Sequence, residues 1–283
     1  PEQPNNAVGT AAGIVQSRTD RSAVKGNTLT FSNYDYTKSL YGGATFGTGN
    51  VTDNKVFIKP TGSMTGNVYG GITDGGGNAE NNKVSFEGTR ARGDLVGGMT
   101  TNSSATGPEQ VTRGSVKGNT VVLKAGTVDQ HIFGGLTGNG TIGDVSKNNV
   151  SIEDGVVTGN VHGGAAEGDG NATDNIVTLT GGTVHGNVYG GYAAADASNM
   201  TSATDSNTIN LYKAVIGGTI YGGMAQGGSD TGNVYLKSNY NELYIHGGTY
   251  RGSIYAGAAL GDPAADPNDV HEEVHHNKIE ISG

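Results

Sequence analysis

The sequence predicts an all-β fold: a single-stranded parallel β-helix, a solenoid of about eight to nine rungs, right-handed by the general crossover preference. Three observations predict it. First, an aliphatic–aromatic–Gly–Gly slot recurs along the 283 residues. It reads Leu40-Tyr41-Gly42-Gly43, Val68-Tyr69-Gly70-Gly71, Leu95-Val96-Gly97-Gly98, Ile132-Phe133-Gly134-Gly135, Val161-His162-Gly163-Gly164, Val188-Tyr189-Gly190-Gly191, Ile220-Tyr221-Gly222-Gly223 and Ile254-Tyr255-Ala256-Gly257. Second, an Asn-x-aliphatic-x-apolar element starts at Asn27, Asn54, Asn82, Asn119, Asn148, Asn175, Asn207, Asn241 and Asn277. Third, the step from each Asn to the first residue of the Gly-Gly slot is 15 residues, Asn54 to Gly70 alone being 16, whereas the step onward to the next Asn runs from 12 to 22. Self-similarity at this period marks a stacked array, with a rigid frame and variable surface loops on one side.

Within the frame the apolar period is two, as in Asn175-Ile176-Val177-Thr178-Leu179 and Val184-His185-Gly186-Asn187-Val188-Tyr189-Gly190. That period argues for half-buried strands, with Gly181-Gly182-Thr183 as the bend between them and a short third strand after Gly-Gly. One unit cannot bury its apolar face alone; stacking in parallel register does so and satisfies the backbone. At ~4.8 Å per rung the rod is on the order of 40 Å long. Residues 1–26 form an incomplete first rung, 27–276 the repeat solenoid of ~27–37-residue rungs, and 277–283 the first strand of an incomplete last rung.

Parity places two apolar columns inside: Val56, Val84, Val121, Val150, Val177, Ile209 and Leu243, and Val68, Leu95, Ile132, Val161, Val188, Ile220 and Ile254. The Asn at the head of the first strand also points inward, where a column of amides can hydrogen-bond from rung to rung. Glycines at 66, 70, 93, 97, 159, 163, 186 and 190 read as inward too, leaving room for the opposite wall.

Composition fits a thin solenoid. There are 51 Gly, 5 Phe and no Trp or Cys, which would read as disorder without the repeat. The absence of cysteine excludes disulfides, thiol catalysis and Cys-ligated zinc. A net charge of −9 argues against nucleic-acid partners and anionic membrane surfaces. No stretch has the length of a transmembrane helix, so the chain is not expected to be membrane-embedded.

The alternation seen from Asn175 to Gly191 resembles the passenger repeats of Gram-negative autotransporter (type V secretion) adhesins, and the resemblance covers about residues 7–283. It implies an extracellular β-helix at the bacterial cell surface, carried by an outer-membrane barrel that this sequence does not include. The function expected is a non-catalytic structural and adhesive solenoid whose partner is a host-cell or cell-surface protein or glycan. The alternatives are a self-assembling head-to-tail filament subunit and a β-helical polysaccharide-active enzyme. For the enzyme, no column pairs two carboxylates with a base on adjacent rungs.

Four motifs bear on chemistry. Parity exposes Tyr41, Tyr69, Val96, Phe133, His162, Tyr189, Tyr221 and Tyr255 in one line, a stacked-ring surface able to cradle a glycan or partner strand. Arg92-Gly93-Asp94 spells an integrin-type tripeptide, but Gly93 and Asp94 occupy a repeat slot filled elsewhere by Gly-Asn. His271-Glu272-Glu273-Val274-His275 matches a zinc-peptidase spelling that needs a helix, which Asp266-Pro267 would start; the plainer reading is a solvated insertion loop. Asp74-Gly75-Gly76-Gly77-Asn78 and Glu167-Gly168-Asp169-Gly170-Asn171 are oxygen-rich turns that suit calcium, though ordinary turn chemistry accounts for them, and no other cofactor is expected. Finally, the sequence starts and stops in mid-repeat, at Ala7-Val8-Gly9-Thr10 and Asn277–Gly283, which predicts end-to-end stacking or an excerpt of a longer solenoid.

Overall fold

Parallel ladders account for the whole architecture. The computed structural model describes residues 10–17, 20–32, 35–59, 61–102, 112–138, 141–167, 170–195, 201–227, 233–262 and 269–282. Among them there is no helix, and the chain winds around three faces as a β-solenoid, the third face being divided into short sheets. The Gly-Gly strands make a nine-stranded sheet: Thr10–Val15, Leu40–Thr45, Val68–Asp74, Leu95–Thr101, Ile132–Thr137, Val161–Ala166, Val188–Ala195, Ile220–Gly227 and Ile254–Gly261. The Asn-headed strands build a second, 14-stranded sheet, in which Asn149–Ile152, Ile176–Leu179 and Thr208–Leu211 pair in register.

Period two puts one face of each strand inside. In Ile176–Leu179, Val177 and Leu179 are fully buried while Ile176 is exposed. Both expected inward columns form one continuous core. Each buried Val, Leu or Ile contributes ~1.5–3 kcal/mol. Ile254 is only partly buried, because it lies in the last strand of its sheet.

The Asn column is a continuous amide ladder. The Nδ2 of Asn27 donates to Asn54 Oδ1 at 2.9 Å, and the same bond repeats at 3.0 Å from Asn54 to Asn82, Asn119, Asn148, Asn175, Asn207, Asn241 and Asn277 in turn. From Asn54 to Asn207 the same Nδ2 also donates to a carbonyl of the third face, as Asn175 does to Val145, whereas Asn241 donates to Ser238 Oγ. Each Oδ1 takes the backbone N–H of the preceding Asn as well, as Asn175 Oδ1 does from Asn148. Just before each ladder Asn the backbone turns through a left-handed residue: Gly26, Asp53, Asn81, Gly118, Lys147, Asp174, Ser206, Tyr240 and His276. Backbone bonds hold it there, such as Asn81 N–H to Lys117 O at 2.9 Å. The turn stands one residue before the Asn in every coil, whatever the length of the stretch that leads to it.

At Gly-Gly the strand changes parity. A Cβ on Gly190 would meet Asn207 Cβ and the Gly222 carbonyl, and one on Gly191 would meet Asn207 Nδ2. Both glycines therefore face the Asn ladder, the strand bends, and the residue after them returns to the outer side. The expected role of the other glycine slots needs correction. Gly66, Gly93, Gly159 and Gly186 do not face an opposite wall. They sit at the corner between the second and first sheets, where a Cβ would strike the preceding coil, such as the Gly66 carbonyl below Gly93. Gly70, Gly97, Gly163 and Gly190 are inward, but the group that approaches them is the next coil's glycine carbonyl.

The stretch of variable length is not loop alone. It ends in a third face, with a six-stranded sheet that includes Val116–Lys117, Val145–Ser146 and Ala172–Thr173, and a three-stranded sheet of Thr201–Ala203, Val234–Lys237 and Val270–Glu273. The length differences fall on the connection between the first sheet and the third face.

Candidate functional site: the outer bend of the first sheet

The parity change gives the outer side of the Gly-Gly sheet a concave crease. The ring column and the residues three places on, Met99, Leu136, Ala165 and Tyr192, converge into a second apolar cluster outside the solenoid core. The expectation of an exposed ring column is thus corrected. Val96, Phe133, His162 and Tyr189 are buried, Tyr41, Tyr69 and Tyr221 are half-buried, and Tyr255 is exposed. The cause is the crease, which sequence parity carried straight through Gly-Gly does not reveal.

The rings stack along the solenoid. Tyr41 and Tyr69 lie 5.3 Å apart at 6°, and Val96 interrupts the column. It resumes as Phe133–His162 at 4.8 Å, His162–Tyr189 at 4.6 Å, Tyr189–Tyr221 at 5.2 Å and Tyr221–Tyr255 at 5.4 Å. Each ring covers its neighbour's face, so the ladder offers edges and hydroxyls to a ligand and not the open faces expected from sequence. Tyr192 stands across the stack, at 81° to His162 and 68° to Tyr189.

A pocket of about 290 Å³ opens here, lined by His131, Phe133, Asn160, His162, Glu167, Tyr189, Tyr192 and Gln226. In the neighbouring column the register runs from Leu136 through the fully buried Ala165 to Tyr192. His162 is buried, its Nδ1 has no hydrogen-bond partner, and desolvation pushes its pKa down to about 3, with His131 adding a smaller push in the same direction. The imidazole is therefore neutral at ordinary pH. Glu167 is exposed overall, so its desolvation is partial; that desolvation and the charge of Asp94 raise its pKa against the opposing pull of His131.

A polar corner column borders the pocket. Asn67 Oδ1 accepts the Asp94 N–H at 3.0 Å, Asp94 Oδ1 the His131 N–H at 2.9 Å, and His131 Nδ1 the Asn160 N–H at 2.9 Å. Asn160 Oδ1 then accepts from Asn187, and Asn187 Oδ1 from Thr219. Arg92-Gly93-Asp94 lies in this corner and not on a flat sheet: Arg92 is exposed, Gly93 is buried, and Asp94 is half-buried with one oxygen committed to His131.

The His271–His275 segment is also corrected. It is neither a helix nor a loop: Val270–Glu273 is a strand of the third face, paired with Val234–Lys237. His271 stacks on Tyr235 at 4.7 Å, while His275 Nε2 meets Glu273 Oε1 at 2.6 Å. An extended backbone cannot bring the two imidazoles to one metal in the helical manner. Asp266 and Pro267 lie outside the described residues, as do Gly168 and Asp169 of one oxygen-rich turn. In the other turn, Asn78 Oδ1 accepts the Ser115 N–H at 3.0 Å. Among the described residues no group of three or more His, Cys, Asp or Glu side chains gathers as a metal site, and no helix is long and apolar enough to cross a membrane.

Sequence reasoning named His162 and Tyr189 but missed Glu167, Asn160, Gln226 and Tyr192 as parts of one pocket. No single repeat carries the signal, because the column of Ala44, Ile72, Met99, Leu136, Ala165, Tyr192, Met224 and Ala258 mixes small and large residues. Comparison of the chain with family models, with curated proteins and with solved structures gives no match.

Proposed function

We propose that the chain is a non-catalytic, extracellular structural and adhesive solenoid, a passenger or surface-projection segment of a bacterial cell, with a host-cell or cell-surface protein or glycan as partner. The observation that carries this reading is the amide ladder running without a break from Asn27 to Asn277. It joins every coil to the next through buried hydrogen bonds and makes one stiff rod whose side faces repeat coil after coil. The length variation falls at one corner, so the rest of the surface stays regular and open to lateral contact. The resemblance of the repeat to autotransporter passengers supports the same reading.

Beads coated with residues 1–283 and offered to cultured epithelial cells test it. Saturable retention above albumin-coated beads, displaced by soluble chain, is the expected result. Retention no greater than albumin would refute adhesion, and new reducing ends released from acidic polysaccharides would favour the enzyme alternative.

A further inference from the structure

We propose that the pocket beside His162 is a subsite for one neutral sugar residue of a glycan. This deepens the adhesive reading and rests on it. Geometry comes first. The pocket, at about 290 Å³, sits at the lower end of small-ligand sites and suits a single ring more than an extended chain. Its walls come from four successive coils, with His131 and Phe133, then Asn160, His162 and Glu167, then Tyr189 and Tyr192, then Gln226.

The polar groups on its walls then define the ligand. His131 Nδ1 accepts the Asn160 N–H, so the ring proton sits on Nε2 and donates from there. Asn160 Oδ1 accepts the Asn187 N–H at 2.9 Å, which leaves its Nδ2 to donate. Gln226 Nε2 donates to Tyr192 Oη at 2.6 Å, which leaves its Oε1 to accept. The Glu167 carboxylate is a second acceptor on the same wall. Two donors and two acceptors surround an aromatic floor of His162 and Tyr189. Such a mixed set opposes a point charge of either sign: Glu167 repels an anion, and the His131 and Asn160 donors face a cation wrongly. It matches vicinal hydroxyls, each of which donates and accepts at once. His162 adds a second observation: it is a buried ring on the pocket floor with an unpartnered nitrogen.

Saturation-transfer NMR with the methyl glycosides of glucose, galactose, mannose and N-acetylglucosamine, using the full chain, tests the proposal. Tetramethylammonium and inorganic phosphate serve as charged comparators. At least one glycoside is expected to bind, and neither comparator to displace it. Glu167→Ala removes a charged acceptor and is expected to weaken binding about tenfold or more. Gln226→Ala, which removes the other acceptor and its bond to Tyr192, is expected to weaken it as well. Glu167 is exposed, so its variant reports on binding without disturbing the crease. No saturation transfer from any of the four glycosides, or equal binding by Glu167→Ala, overturns the subsite. If glycosides bind but coated beads do not adhere, the adhesive reading fails while the pocket stands. If beads adhere and no glycoside binds, the reverse holds.

Discussion

Replacing Asn175 with alanine removes the ladder at one coil, and the structure gives the size of the loss. Four hydrogen bonds go: Asn148 N–H and Asn148 Nδ2 to Asn175 Oδ1, at 3.1 and 3.0 Å, and Asn175 Nδ2 to Val145 O and to Asn207 Oδ1, both at 3.0 Å. Asn207 Oδ1 keeps the Asn175 backbone N–H. The Asn148 N–H, one Asn148 amide hydrogen and the Val145 carbonyl each lose a partner in a site without solvent. At ~1–3 kcal/mol for each of the three stripped buried groups, the expected loss is ~3–9 kcal/mol, towards the lower end if a water enters. Asn187→Ala is the comparison. It removes a 2.8 Å bond from the Thr219 N–H and a 2.9 Å bond to Tyr189, but in a half-buried corner where water replaces both, so ~1 kcal/mol is expected. Urea unfolding followed by circular dichroism and tyrosine fluorescence reads the difference. With a slope of ~3 kcal/mol/M, Asn175→Ala should lower the midpoint by about 1 M or more and Asn187→Ala by a third of that. Equal midpoints for the two variants would refute the ladder as a main source of stability.

Three further outcomes are expected. His162 holds a folded pKa near 3 against 6.5 for a free imidazole, so the unfolded chain binds a proton that the folded chain refuses, and stability falls as pH drops from 6.5 towards 3. At ~1.4 kcal/mol per unit this is ~2 kcal/mol by pH 5, and His162→Phe should remove that slope. Glu167, with its raised pKa, works in the opposite direction just above pH 4.5 but is common to both proteins; parallel pH–stability curves would contradict the assignment. Val188→Asp places an unpaired charge at a fully buried site and should cost ~4 kcal/mol or more, whereas five residues inserted after Asn102 should cost under ~1 kcal/mol; similar melting losses would contradict the frame. Zinc chelation should leave the melting temperature unchanged, and stoichiometric zinc surviving dialysis but lost in His271→Ala would reverse that.

Much of the fold is written in the sequence because repetition averages out local ambiguity. The alternation at Val177 and Leu179, repeated coil after coil, fixes strand, register and core together. The amide ladder was legible for the same reason. What the sequence hid are the places where the strand stops alternating. Two successive inward glycines are invisible to a period-two count, so Phe133, His162 and Tyr189 read as exposed when the crease buries them. The left-handed turn before each ladder Asn was masked by the variety of residues that fill it, from Gly118 to Tyr240. The strand at Val270–Glu273 was masked by a helix-dependent motif spelling. The pocket depends on residues from several coils, which no single repeat contains.

Distances between spin labels test the stacked parallel coils most directly. The chain has no cysteine, so each introduced thiol is unique. Lys55, Ile176 and Lys278 lie in one outer column, linked through Lys83, Thr120 and Asn149 to Ile176 and onward through Thr208 and Glu242 to Lys278. That is four coil steps and then three more, so at ~4.8 Å per step the backbone separations are ~19 Å for Lys55→Cys with Ile176→Cys and ~34 Å for Lys55→Cys with Lys278→Cys. Two narrow distributions near those values, in a ratio of about four to seven, are the expected result of double electron–electron resonance. Comparable distances for the two pairs, or a Lys55–Lys278 separation shorter than Lys55–Ile176, would contradict the solenoid.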